Sequence, residues 1–361
     1  MDFSPIDSMK VAIVNVTKPV SGTGDGMTEY TYQLIKNLGR EGVRVGSFYA
    51  LTETRRRNML GLARAQTLLR NKVAGIIAGN YDIVHITNQE AGFVAKELKK
   101  QGYYGRIVTT VHDTMRLRDD LHRGAKQKIY NYLVRHHVKD AMDYSDELIF
   151  DEPKTMKELG SFGRFGRYKI VFLGVDERFA AKKAKRKGPK FVVGYLGSFA
   201  HNKNVGFVLR AAELMRNEKG FRFDIYGSGG EIDSLVSYKK ANGLENVRFL
   251  GFAPENRKRE IYDGFDAFVF PTVGEVWSIP IMEAMARELP VIIPRSSDIV
   301  GSVREHCLEV KDEKGMASLL SKLRKRGVDS GFVKDAAKFA RSLTWRRTAR
   351  ETLKHYRELL G

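Results

Sequence analysis

Short apolar runs alternate with longer stretches of helical period along this chain, in two successive series. The first series opens with V-A-I-V-N-V at 11–16 and continues with apolar runs at 43–49, 83–86, 107–111 and 147–150. Helical patterns at 28–38, 58–77, 92–100 and 126–142 lie between them. A basic run ending in Gly-Pro, K-K-A-K-R-K-G-P-K at 182–190, then interrupts the pattern and reads as a linker or a solvated loop. The second series restarts with F-V-V-G-Y-L at 191–196, with further strands at 221–226, 247–250, 267–270, 291–293 and 307–310. Two helices, near 335–342 and 346–359, close the chain. Strands separated by helices predict parallel βαβ units with right-handed crossovers. The expectation is an α/β protein of two Rossmann-like, doubly wound parallel-sheet lobes with a cleft between them. Ligands of such sheets bind off the carboxyl ends of the strands.

Composition narrows this only a little. No run of about 18 apolar residues exists, so no spanning helix is expected. The start, M-D-F-S-P-I-D-S-M-K, lacks the pattern of a secretion signal. Cys307 is the single cysteine, which leaves no intrachain disulfide and no thiolate metal site and fits a reducing cytoplasm. The charge changes the picture more: 62 basic against 43 acidic residues give +19. That excess suits a nucleic acid, an anionic membrane surface, or simply a Lys/Arg-rich solvated exterior.

The candidate chemistry lies at strand ends. The stretch 270–294, F-P-T-V-G-E-V-W-S-I-P-I-M-E-A-M-A-R-E-L-P-V-I-I-P, reads as strand, loop, helix, turn and strand. Glu275 falls on the loop and Glu283 one turn into the helix, whose N-terminus favours an anion. Ser278 stands where it could cap that helix. Lys203, in G-Y-L-G-S-F-A-H-N-K-N, sits at another helix start, where a cation is mildly unfavourable unless an anion lies between. A solvated lysine is the alternative. Glycine loops follow two further strands, Y-G-S-G-G with Gly227 and Gly229, and G-F-A-P with Gly251. In the first series G-T-G-D-G-M at 22–27 lacks the third glycine of a dinucleotide fingerprint, and a plain glycine turn remains open. His112 ends the strand of V-T-T-V-H-D, and His85 ends the preceding one. Each is a candidate for the cleft or a buried structural histidine. No nucleophile elbow, Walker A sequence or His-Glu-x-x-His site is present.

Taken in order, these fragments resemble retaining glycosyltransferases of family 4, which have the GT-B fold. P-T-V-G-E-V-W-S-I-P-I-M-E-A-M-A resembles their Glu-x7-Glu motif, and V-T-T-V-H-D their first-lobe histidine strand. G-V-D-E-R-F at 174–179 resembles their crossover, and S-L-T-W-R-R at 342–347 the tryptophan-bearing final helix that returns to the first lobe. The resemblance implies an acceptor-side lobe at 1–178, a nucleotide-sugar donor lobe at 179–342 and a returning helix at 343–361. It implies that Glu283 bridges ribose hydroxyls, Glu275 faces the transferred sugar, and Lys203 meets the diphosphate. His112 would touch the sugar or steady its developing positive charge. His112, Glu275 and Lys203 are thus the catalytic candidates. Ser198, Gly227, Gly229, Gly251, Val276, Trp277, Ser278 and Ile279 complete the donor site, and Gly24, Asp25 and Gly26 form a loop over phosphates and acceptor.

Departures are visible. Ser198 replaces an expected arginine, with His201 a candidate substitute. Val276-Trp277-Ser278 replaces Gly-Phe-Gly, and a valine resists positive φ. Ser296-Ser297-Asp298 stands where a glycine pair is expected. The implied function is retaining transfer from a nucleotide-diphosphate sugar, UDP- or GDP-linked, to a glycan or lipid-linked acceptor, with no metal ion or cofactor. A basic amphipathic helix, N-M-L-G-L-A-R-A-Q-T-L-L-R-N-K-V after Arg55-Arg56-Arg57, suits peripheral attachment at the inner face of the membrane, or packs on its own sheet. Arg116, Arg118, Arg123, Lys126 and Lys128 form a second basic cluster. Two alternatives stand beside this: a basic nucleic-acid-binding protein on a degenerate GT-B fold, disfavoured by the acids and Lys203, and a synthase using a sugar phosphate or other soluble acceptor.

Overall fold

The computed structural model describes residues 9–22, 25–52, 59–114, 117, 125–181 and 188–361. Gly24, the arginines at 55–57, Arg116, Arg118, Arg123 and most of the basic run at 182–187 lie outside them. The chain forms two compact units, Met1–Leu173 with Trp345–Gly361, and Gly174–Thr344.

In the first unit, strands β1 (Lys10–Thr17), β2 (Arg44–Leu51), β3 (Ile83–Ile86), β4 (Arg106–Val111), β5 (Glu147–Phe150) and β6 (Arg167–Ile170) form one sheet in the order β2-β1-β3-β4-β5-β6. All pairs are parallel. Helices α1 (Gly26–Arg40), α2 (Met59–Ala78), α3 (Phe93–Lys100), α4 (Ala125–Tyr144) and α5 (Pro153–Gly160) connect them. Central strands buried on both faces read as continuous apolar runs, and β1, β3 and β5 are buried along nearly their whole length. The chain returns to this unit as α13 (Trp345–Leu360). Its buried residues, Trp345, Thr348, Ala349, Thr352, Leu353, Tyr356 and Leu359, mark one helical face. Trp345 packs near Tyr30 of α1, ring centroids 6.4 Å apart.

The second unit holds β7 (Phe191–Leu196), β8 (Phe221–Tyr226), β9 (Val247–Phe249), β10 (Ala267–Val269), β11 (Val291–Pro294) and β12 (Leu308–Val310), in the order β12-β11-β10-β7-β8-β9. These pairs too are parallel. Its helices are α6 (Val205–Leu214), α7 (Ile232–Ala241), α8 (Lys258–Asp263), α9 (Ile279–Ala286), α10 (Gly301–Arg304), α11 (Glu313–Arg326) and α12 (Ser330–Ser342). The order reverses between β7 and β10. The loops after those two strands therefore flank the crevice where such sheets take ligands. Lys203 follows β7 and Glu275 follows β10.

One buried side chain fastens the second unit. Arg287, fully buried, makes a bidentate pair with Asp263 and donates to the Phe179 carbonyl at 2.9 Å. The left-handed turn at Asn204 (φ 48) breaks the chain between the 3-10 turn His201–Lys203 and α6. No helix among the described residues is long and apolar enough to cross a membrane. The apolar stripe of α2 is spent internally: Ala65, Leu69, Val73 and Ile76 belong to the first unit's core. That face is not free to lie on a bilayer.

Candidate active site

In the second unit the turn before the first acid fixes its loop. Gly274 (φ 78) takes the left-handed conformation, and its N–H donates to Asp298 Oδ2 at 2.8 Å. Val300 N–H donates to the Val276 carbonyl at 3.0 Å. The loop thus turns at Gly274 rather than at Val276, and the Ser296-Ser297-Asp298 segment supplies its brace. Val276 and Trp277 are buried. Ser278 occupies the N-cap of α9, yet its hydroxyl makes no capping bond and is buried without a partner. The capping role read from sequence is therefore not taken up. Pro280 carries no N–H, and Met282 N–H closes the first turn onto the Ser278 carbonyl at 3.2 Å.

Lys203 Nζ pairs with Glu275 Oε1 at 2.6 Å, across the reversal of strand order. The Lys203 ammonium also sits 5.3 Å from the centre of the Phe270 ring. Glu275 Oε2 is buried with no partner. Ser198 is exposed, and its carbonyl accepts from the buried Tyr195 hydroxyl at 2.9 Å. His201 does not replace the missing arginine here: its side chain is 90% exposed and its Nδ1 faces Glu231 Oε1 at 2.9 Å. Gly227 and Gly229 allow close backbone approach. A Cβ on Gly227 would meet the Gly197 carbonyl oxygen at 1.8 Å, and one on Gly229 would meet Phe199 backbone at 2.7 Å. Gly251 (φ 73) follows β9 and accepts from Gly227 N–H at 2.8 Å, so two of the glycine loops are tied together.

Glu283 lies deeper, 3% exposed, on the first turns of α9. Lys258 Nζ approaches its Oε1 at 3.3 Å and the Tyr262 hydroxyl donates to its Oε2 at 2.8 Å. Burial pushes the Glu283 carboxyl above the usual range, and the Lys258 ammonium pulls against that. Lys258 also pairs with Glu255 at 2.7 Å. Sequence reasoning did not single out Lys258 or Tyr262. R-K-R-E-I-Y reads as one more basic surface stretch, and only the fold turns Lys258 inward.

The first unit holds the other candidates. Asp25 Oδ2 accepts from Thr28 N–H at 3.1 Å and so caps α1, while Gly26 opens that helix. His112 is buried, with Nδ1 2.6 Å from Asp151 Oδ2 and Nε2 2.9 Å from the Thr87 carbonyl. With Asp151 ionised both partners are acceptors, and both ring nitrogens then donate as an imidazolium. Burial disfavours that charge, but Asp151 outweighs it and holds His112 above the ordinary histidine value. His85 is the opposite case. Its ring nitrogens meet the hydroxyls of Tyr356 and Thr110, and burial brings its pKa down to about 3. It is a neutral structural histidine tying α13 to the sheet. Asp151 was not legible as a partner, because it follows a different strand 39 residues on. Among the described residues no cluster of three or more His, Cys, Asp or Glu side chains is arranged to hold a metal ion.

Residues 190–326 match the family described as Glycosyl transferases group 1. A putative glycosyltransferase of Bacillus subtilis, EpsF, is 34% identical over 126 residues, which covers 34% of this chain and 31% of EpsF. The D-inositol 3-phosphate glycosyltransferase of Rhodococcus jostii is 24% identical over 408 aligned positions, covering 96% of this chain and 89% of that protein. Sucrose-phosphate synthase of Thermosynechococcus elongatus superposes with a TM-score of 0.80 at 16% identity, over 98% of this chain and 99% of that one. The second unit is thus similar to group 1 glycosyltransferases, and the whole chain has the GT-B fold. Anabaena Alr3699/HepE in complex with UDP-glucose has the same fold, with a TM-score of 0.72 at 16% identity over 97% of this chain and 100% of that one. The match spans only 31%, 27% and 26% of the length of the first three curated relatives.

Proposed function

We propose that this protein transfers a sugar from a nucleotide-diphosphate sugar to an acceptor hydroxyl with retention of configuration. The observation that carries the reading is the cluster at the strand-order reversal of the second unit. Lys203 pairs there with Glu275, and the chain runs on from Glu275 through the unpartnered buried Ser278 hydroxyl into α9, which carries Glu283. In the proposed reaction the bond from the anomeric carbon to the β-phosphate oxygen breaks, and a bond from the acceptor oxygen forms on the same face. The acceptor proton passes to the departing phosphate oxygen. Lys203 and the N-terminus of α9, with the Ser278 hydroxyl, stabilise the leaving charge without a metal ion. Lys203 therefore leaves Glu275 for the diphosphate when donor binds, and Glu275 turns to a hydroxyl of the transferred sugar. Glu283 takes the ribose. Val276, Trp277 and Ile279 shape the loop against the donor, and Gly227, Gly229 and Gly251 admit it to the backbone. Asp25 and Gly26 open the helix over which the phosphates and acceptor pass. Both His112 ring nitrogens are engaged, so His112 reaches the sugar only by exchanging the Thr87 carbonyl for a sugar hydroxyl, and as a cation it would oppose a developing positive charge.

UDP or GDP is the proposed carrier, and the support is analogy with Anabaena Alr3699/HepE in complex with UDP-glucose. For the acceptor we favour a glycan or lipid-linked glycan. The support is the charge of +19, which also draws the protein to an anionic inner membrane face. A soluble phosphorylated acceptor is the second reading. It is favoured by the internal packing of α2 and by the length of the match to the D-inositol 3-phosphate glycosyltransferase. Thermal-shift measurement against UDP-, GDP- and ADP-sugars tests the donor reading, since a ligand of the folded state raises Tm by mass action. A rise of several degrees with one base, unaffected by EDTA, is expected. No shift with any of them contradicts the proposal. Salt-sensitive co-sedimentation with phosphatidylglycerol vesicles supports the membrane-proximal acceptor, and its absence favours the soluble one.

A further inference from the structure

Glu283 is held by a network that no motif records. Lys258 opens α8 with its side chain only 12% exposed, between Glu255 at 2.7 Å and Glu283 at 3.3 Å. Glu255 belongs to the 3-10 turn Glu255–Arg257, which follows the Gly251 loop, and is itself paired with Arg178. Tyr262, fully buried on the same short helix, donates to Glu283 Oε2 at 2.8 Å and lies 3.2 Å from the Pro280 carbonyl. One lysine and one tyrosine thus tie the strand-end loop after β9 to the first turns of α9.

A carboxylate offers about four lone-pair sites. Lys258 and Tyr262 take one on each oxygen. Two remain, the number a vicinal diol requires.

We propose that Lys258 is a positioning residue of the nucleoside subsite, keeping Glu283 anionic and fixed so that its two remaining lone pairs accept both ribose hydroxyls. The inference rests on the reading of Glu283 as ribose ligand. The charge balance supports it. Burial and Glu255 both favour a protonated Glu283, while Lys258 and the Tyr262 hydroxyl favour the anion. On Lys258 burial disfavours the ammonium, but Glu283 and Glu255 outweigh it and hold it above the ordinary lysine value. Lys258 carries its proton throughout the neutral range. Lys258, Glu255 and Tyr262, with Arg178 behind Glu255, are the charged and titratable groups around Glu283 among the described residues.

The experiment is calorimetric titration with UDP, GDP and their 2′-deoxy forms between pH 5 and 8.5, with kcat and donor KM measured alongside. In Lys258→Met the affinity for the ribonucleotide is expected to fall roughly tenfold or more near pH 6. The preference for ribose over deoxyribose collapses, the pH midpoint of binding moves up, and kcat at saturating donor stays within about twofold. Lys258→Arg restores the midpoint. Glu255→Gln removes an anion and leaves Lys258 to Glu283 alone, so its midpoint moves down. That shift follows from removing Glu255 whatever Lys258 does, so if Lys258→Met does not fold, Lys258→Gln decides the matter: an upward midpoint supports the role of Lys258 and an unmoved one overturns it. Glu283→Gln separates the two levels. If it binds UDP and GDP as the native protein does, the ribose reading itself is wrong. If it weakens binding while Lys258→Met leaves the pH midpoint unmoved, the role of Lys258 alone is overturned.

Discussion

The two acids of the Glu-x7-Glu stretch each have a lysine, and the two pairs are built differently. Lys203–Glu275 is single and accessible, with side chains 16% and 24% exposed, and Glu275 keeps one buried oxygen unpartnered. Lys258–Glu283 is sunk to 12% and 4%, shared with Glu255, and completed by Tyr262. A pair of the first kind exchanges partners at little cost, since it has few bonds to break and water close by. A pair of the second kind cannot let go without stranding a charge. On the proposed reading the contrast assigns the moving parts: Lys203 and Glu275 rearrange around the donor, whereas Glu283 keeps its place and offers what its partners leave free.

The largest expected effect lies in stability. Glu283→Ala leaves Lys258 to Glu255 alone, takes an acceptor from the buried Tyr262 hydroxyl and should cost about 2–3 kcal/mol in urea unfolding. Glu275→Ala should cost no more than about 1 kcal/mol. Equal costs would erase the difference between the pairs. The order reverses for catalysis. Lys203→Ala should lower kcat about 100-fold or more through loss of leaving-group stabilisation. Its unfolding free energy should stay within about 1 kcal/mol of the native protein.

A third test uses pH and the first unit. His112 is held above the ordinary histidine value, so its bond to Asp151 contributes stability that is complete below that value. That contribution is lost as pH rises through the raised one. Nitrogen-15 spectra at pH 7 should show both His112 ring nitrogens protonated, and Asp151→Asn should remove one of those protons. A single protonated nitrogen in the native protein would contradict the imidazolium. The smallest effect belongs to the brace of the acidic loop. Asp298→Ala removes the bond to Gly274 N–H and should weaken donor binding several-fold, on the scale of about 1 kcal/mol, with kcat nearly unchanged.

Much of the fold could be read from sequence because parallel strands buried on both faces appear as unbroken apolar runs, as in V-A-I-V-N-V and F-V-V-G-Y-L. The missed strand, β6, is an edge: R-Y-K-I is half charged and largely exposed, so it carries no such signal. The helix α5 after β5 was missed as well, although Glu152 caps it through Thr155 and Lys154 N–H and Pro153 opens it. Among the candidate site residues, those carried by a local motif stand out in the sequence: Lys203, Glu275, Glu283 and His112. Their partners do not. Asp151, Lys258, Tyr262 and Asp298 each reach their partner through tertiary packing within their own unit, and nothing in D-E-P, R-K-R-E-I-Y or S-S-D distinguishes them from turn and surface residues. Ser278 was read as a cap because serine favours that position, and the structure leaves its hydroxyl unspent.

The most direct measurement is calorimetric titration of the native protein and Glu283→Gln with UDP and GDP at pH 7.5. One nucleotide should bind the native protein at a single site, and Glu283→Gln should weaken it roughly tenfold or more while remaining folded. Binding of neither nucleotide, or equal affinity in the two proteins, would contradict a nucleotide-sugar site built on Glu283.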